Sequence, residues 1–188
     1  MRLFRLSFPL LLLLALAGCD TAEDGGNGGE TFPLPTPPNH RASFTYSVGT
    51  LMGGGTVDES ASETSQDVIN DDRFGPGDVA SARIRSMSVE LNMDQPLGGR
   101  VEVGQATLTL SAPGAPDRVV ATASDFSMEI TSTNVSLRRA DLDVENADIT
   151  EFLQQGTFTG TLTMQVDGAT DGTYQFTVTF DVDIEVFV

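Results

Sequence analysis

The stretch Thr173-Tyr174-Gln175-Phe176-Thr177-Val178-Thr179-Phe180-Asp181-Val182-Asp183-Ile184-Glu185-Val186-Phe187-Val188 decides the fold. Tyr174, Phe176, Val178, Phe180, Val182, Ile184, Val186 and Val188 fall on one parity, and Thr173, Gln175, Thr177, Thr179, Asp181, Asp183 and Glu185 on the other. Successive side chains of a strand point to opposite faces, so this pattern predicts one long strand with one face in a core and the other in water. Upstream, Phe158, Leu162, Met164 and Val166 alternate with Thr157, Thr159, Thr161, Thr163 and Gln165. Asp167-Gly168-Ala169-Thr170-Asp171-Gly172 between them has turn chemistry, so the two strands are expected to form a C-terminal hairpin. The last strand is expected inside a sheet; an exposed edge on it would instead offer strand addition to a partner.

Working backward, further strands are expected at Ala42–Val48, Ile84–Met93, Ala106–Ala112, Arg118–Ala123, Phe126–Thr131 and Val135–Val144, with turns at Gly98-Gly99 and Pro113-Gly114-Ala115-Pro116. Asp148, with Glu151 three residues on, is placed to cap a short helix near 148–155, carrying Ile149, Phe152 and Leu153 and ending at Gly156. Gly49 to Asp78 is polar and glycine-rich and reads as a long loop with at most one short strand. The class expected is all-β, an antiparallel β-sandwich (immunoglobulin-like or related) with that one short helix.

Residues 19–40 read as a tether, Gly- and acid-rich to Glu30 and then Phe32-Pro33-Leu34-Pro35-Thr36-Pro37-Pro38, a coil followed by a stiffer polyproline-type spacer. Residues 41–188 are left as a single domain, long enough to bury a core. The only cysteine is Cys19, so no disulfide can form within the chain, and core packing and sheet hydrogen bonds must hold it.

At the start, Arg2 and Arg5 precede an apolar run through Leu16, followed by Ala17-Gly18-Cys19. The run is shorter than the ~20 residues that span a bilayer and fits the apolar core of a secretory signal. Residues 1–19 resemble the signal peptide and lipobox of bacterial lipoproteins. The resemblance implies diacylglyceryl attachment to the Cys19 thiol and cleavage before it, with Leu16, Ala17 and Gly18 as the recognised residues. It further implies acylation of the new amino group (the palmitate-type modification of such proteins). A thiolate is the strong nucleophile this chemistry needs, and stable anchoring takes more than one acyl chain. The implied location is the cell envelope, lipid-anchored to a bacterial membrane and facing the periplasm or exterior.

All 10 basic residues are arginine, and the 27 acidic residues all lie beyond Cys19. Once residues 1–18 leave with Arg2 and Arg5, 170 residues remain with a net charge of −19. Such a surface repels nucleic acid, and no nucleic-acid partner is expected. The arginine-only usage fits a GC-rich coding sequence, and the acid excess fits adaptation to high salt, where screening removes self-repulsion.

Catalytic materials are scarce. The only histidine, His40, sits where tether meets domain, there is no Gly-x-Ser-x-Gly elbow, and no lysine or second cysteine is present. Carboxylates remain: Asp141, Asp143 and Glu145 on one strand face, and Asp181, Asp183 and Glu185 on another. If those strands were adjacent, the like charges would need salt, arginines or a cation. Acidic loops at Asn70-Asp71-Asp72 with Asp78, and at Asp167 with Asp171, have calcium-like character without an EF-hand pattern, so no cofactor or metal is assigned. Sugar stacking is disfavoured, since the chain has no tryptophan and Tyr46 is its one candidate platform.

The expectation is a membrane-anchored, non-enzymatic β-sandwich with a structural, accessory or protein-binding role, its partners the membrane and an envelope protein. Two alternatives stand beside it. A carrier of lipid or another apolar ligand would need an apolar cavity of several hundred Å³. A carboxylate-based hydrolase would need two acids across a cleft with one desolvated.

Overall fold

The computed structural model describes residues 30–34, 40–51, 53–93, 99–130, 136–137 and 139–188. Two antiparallel sheets face each other. In the first, the long C-terminal strand β11 (Gly172–Phe187) is central. One side of it carries β2 (Arg41–Leu51) along residues 172–181 and β1 (Thr31–Pro33) along residues 185–187. The other side carries β4 (Val79–Met93), followed outward by β8 (Arg139–Asp141). The second sheet runs β3 (Gly55–Thr64), β10 (Thr157–Ala169), β5 (Arg100–Ala112), β6 (Ala115–Ile130) and β7 (Ser136–Leu137), with β9 (Asp143–Val144) also on β6. The β-sandwich expected from the alternation is the fold observed.

The expected C-terminal hairpin is not formed. β10 pairs with β3 and β5, while β11 pairs with β1, β2 and β4, so residues 170–171 carry the chain across the core from one sheet to the other. Each strand has a full apolar face, and lying in opposite sheets lets these faces close on each other. Phe44 on β2 sits 5.7 Å from both Phe180 of its own sheet and Phe158 of the other, the latter edge-to-face. Gly160 makes room for this cluster, since a Cβ there would lie 2.9 Å from the Phe44 ring. Tyr46 packs beside Phe44, and its hydroxyl donates to the Gly160 carbonyl at 3.1 Å. With both edges of β11 occupied, strand addition at that strand has no free edge to use.

The segment expected as a long loop is largely structured. β3 is a ten-residue edge strand, followed by a second helix, α1 (Ser65–Ile69). Thr64 caps α1 through Oγ1, which accepts from the Asp67 N–H at 3.2 Å, and Val68 and Ile69 are fully buried. A 3₁₀ turn at Pro76–Asp78 then leads into β4. β3 escapes the alternation rule because its inward parity reads Val57, Glu59, Ala61, Glu63, with Glu59 and Glu63 paired to the buried Leu162 and Phe158. Inward-pointing charge on an edge strand discourages further pairing.

Two strands expected at 118–131 are one, β6, which continues through Asp125 with φ 52°. The strand expected at 135–144 is instead broken, changing sheets around the buried Leu142 between β8 and β9. The short helix forms as α2 (Thr150–Leu153), with Ile149, Phe152 and Leu153 fully buried. Its expected capping box does not: Asp148 accepts from Thr150 N and Oγ1, at 3.0 and 2.7 Å, while Glu151 pairs with Arg118.

The domain also begins earlier than residue 41. Thr31–Pro33, read as spacer, pairs with the end of β11, Leu34 is buried, and the Leu34 N–H donates to Ile184 O at 2.9 Å. Pro33 is tolerated because β1 lies at a sheet edge.

Candidate functional site

The lipobox residues Leu16, Ala17, Gly18 and Cys19 lie outside the described residues. The two acidic triplets do lie within them, and they do not meet. β4 separates β8, with Asp141, from β11, while Asp143 belongs to the other sheet and Glu145 accepts from the Thr122 hydroxyl at 2.7 Å. On β11 the acids are met by arginines and hydroxyls of the flanking strands. Arg41 donates to Asp181 at 3.0 Å, and Ser86 reaches its other oxygen at 2.9 Å. Arg85 lies 3.6 Å from Asp183, and Ser81 donates to Glu185 at 2.9 Å. Burial alone would raise the Asp181 pKa, but the hydrogen bonds from Arg41 and Ser86 outweigh it and hold the carboxyl below its ordinary value. A general acid needs the opposite shift.

Among the described residues one carboxyl is shifted upward: Glu63, by burial first and by the charge of Asp67 second. Asp67 accepts from the Thr64 hydroxyl at 2.6 Å, so this is a local pair at the β3–α1 junction. The acidic loop at residues 70–78 is likewise engaged, while Asp167 lies within β10. Arg73 grips Asp71 through two side-chain bonds of 3.0 and 2.7 Å, lowering the Asp71 pKa to about 2, and Asp78 accepts from the Gly75 N–H at 2.8 Å. Among the described residues, no three His, Cys, Asp or Glu side chains gather as a metal site.

His40 is a core-edge residue rather than an exposed linker residue. It is 7% exposed, its backbone carbonyl accepts from Val182 N at 2.8 Å, and Nδ1 is 3.3 Å from the Val68 carbonyl. It lines a surface concavity of about 380 Å³ with Leu34, Arg83, Arg85, Asp183 and Glu185. Pro33, Val182 and Ile184 also line this hollow, which lies at the surface with a charged rim rather than between the two sheets. The space between the sheets is filled by buried aromatic and aliphatic side chains. Tyr46 is also buried, so it offers no platform to a sugar ring.

The feature that sequence reasoning missed is an apolar end to the sandwich. Among the described residues, the exposed large hydrophobic side chains are Phe32 at 51%, Phe187 at 41%, Val188 at 66% and Val119 at 39%. The first three lie at one end of the β1–β11 ladder, on its two faces: Phe32, opposite Val186, and Val188 share the inward parity, Phe187, opposite Thr31, is on the outward one, and Val188 N donates to the Glu30 carbonyl at 3.2 Å. The signal was readable in Phe187, an aromatic on the polar parity of β11.

No family model and no curated protein matches this chain. Among solved structures it is similar to one of a marine algae virus of the order Picornavirales, at 13% identity and TM-score 0.30, covering 97% of this chain and 82% of that one. It is also similar to one of carbohydrate-binding modules of the β-sandwich superfamily with promiscuous specificity. That match has 13% identity and TM-score 0.27, covering 87% of this chain and 59% of that one.

Proposed function

We propose that this chain is a bacterial envelope lipoprotein, anchored through Cys19, whose sandwich is a non-enzymatic display or accessory domain that engages an envelope protein. The observation that carries the reading is the early docking of Glu30–Leu34 onto β11, which leaves only residues 20–29 between the lipobox cysteine and the folded domain. A short link of this kind suits a domain held at a membrane surface. The non-enzymatic part draws support from the acids of β11, which are engaged by arginine and serine side chains, and from the absence of an elbow serine for His40 to serve. Among the described residues no helix is long and apolar enough to cross a membrane.

The test is fatty-acid labelling of the wild-type chain and of Cys19→Ala in a bacterial host. Label on the wild type and its loss in the variant, with release from the membrane fraction, is the expected result. Label retained in Cys19→Ala overturns the reading. We further propose that the acid-rich surface suits high salt, and a melting temperature that fails to rise between low and molar KCl would refute this.

A further inference from the structure

We propose that the corner formed by Phe32, Phe187 and Val188 rests in the interfacial layer of the bilayer that holds the anchor; the inference builds on the lipidation of Cys19 proposed above. Three observations converge on it. Exposed large apolar groups are few among the described residues, and three of the four gather within one short ladder at the end of β1 and β11. The same corner holds Glu30, from which the chain runs back toward Cys19. The connecting chain is short: the ten residues 20–29 can reach at most roughly 36 Å. β11, with 16 residues, is roughly 50 Å long. An anchor at Cys19 would therefore set a tighter bound on the distance of the Phe187 end from the membrane than on that of the Gly172 end.

Exposed aromatic rings favour the boundary between headgroups and acyl chains, and a weak apolar contact becomes effective when a tether holds it beside the surface. The surrounding charge selects the kind of surface. Glu30 and Glu185 flank the corner, so it fits zwitterionic phospholipid and disfavours anionic headgroups.

The chain has no tryptophan, so a single introduced indole reports its own position. Full-length lipidated protein carrying Phe187→Trp, and a control carrying Thr50→Trp at the far end of β2, would be placed in phosphatidylcholine vesicles with and without brominated acyl chains. Thr50 pairs with Thr173 and is exposed. At least twofold quenching of the Phe187→Trp emission, with Thr50→Trp unchanged, is expected, and adding anionic lipid should reduce it. Equal emission from the two variants, in protein that floats with the vesicles and carries acyl chains on Cys19 by mass spectrometry, overturns this inference and leaves the anchor reading intact. An unmodified Cys19 removes both. A concentration-dependent shift of the Phe187→Trp emission in detergent, without lipid quenching, assigns the corner to a second copy and likewise overturns it.

Discussion

The link Pro113-Gly114 returns β5 to β6 within one sheet, with Ala112 paired to Ala115, whereas Thr170-Asp171 takes β10 out of one sheet and delivers β11 to the other. Both links sit between alternating strands and both are flanked by turn-forming residues. They differ in backbone handedness. Gly114 has φ 88°, and Pro at the preceding position makes the combination a type II turn requires, so that link folds back on itself. No residue from Asp167 to Gly172 has positive φ. That link is pinned from outside instead: Thr170 N donates to Arg100 O at 2.9 Å, Arg100 N donates to Thr170 Oγ1 at 3.2 Å, and the Tyr174 hydroxyl donates to the Thr170 carbonyl. A hairpin is written into its turn, while a sheet-crossing link is written into what the two strands bury.

The largest test strikes that burial. Phe158→Ala removes the β10 ring that meets Phe44 from across the core and should cost about 3–5 kcal/mol, lowering the melting temperature by roughly 6–20 °C. A loss below ~1 kcal/mol by thermal or urea unfolding would mean the crossing is held by something other than core packing. The next test separates the two links directly. Gly114→Ala forces a Cβ into the left-handed region and should cost about 1–2 kcal/mol. Gly168→Ala, at the end of β10 before the crossing, should stay within roughly 0.5 kcal/mol, because its Cβ would press on the flexible end of Glu102, at 3.3 Å, and touch the Gly53 carbonyl only at an ordinary 3.9 Å. Equal losses at the two glycines would erase the distinction.

The same contrast explains what was legible beforehand. The period-2 pattern of β11 announced a half-buried strand and, with its neighbours, a sandwich, because burial of one face leaves a direct mark on composition. The choice of sheet left no such mark, since Phe158 and Phe180 are equally apolar whether side by side or face to face. β3 was invisible because an edge strand with Glu59 and Glu63 on its inward parity has no apolar alternation to read. The gap left between Ala123 and Phe126 is closed in the structure, where Asp125 takes φ 52° within β6, a backbone conformation aspartate tolerates better than most residues. Thr31–Leu34 resembled spacer because it carries Pro33 and runs into Pro35-Thr36-Pro37-Pro38, although an edge strand also admits proline. Of the candidate site, the proposed lipobox rests on residue order alone, while the exposed apolar side chains at the β1–β11 end needed β1 to be placed beside Phe187.

A smaller effect probes the clamp on the crossing. Tyr174→Phe deletes the bond to the Thr170 carbonyl and leaves the ring buried against Phe176, so a loss of about 0.5–1.5 kcal/mol is expected. Hydrogen exchange should then accelerate at Thr170 and Arg100 and not at Ala112 or Ala115. Acceleration at both links would place the clamp's influence in the whole sheet.

The smallest effect lies on the outer face of β11, where position is already decided. Asp181 has its pKa lowered in the fold, so it contributes stability that is present above the ordinary carboxyl value of 3.8 and is lost as pH falls through the lowered one. Because Arg41 is half exposed, solvent screens the pair and its worth is roughly 0.2–1 kcal/mol. Asp181→Asn should therefore unfold slightly more easily than wild type at pH 7, with the gap closing below pH 3.8 and shrinking in molar salt. A gap that persists in acid would assign the effect to the amide's geometry rather than to charge. A gap of several kcal/mol at neutral pH would mean that the outer ladder, and not the inner face alone, holds β11 in its sheet.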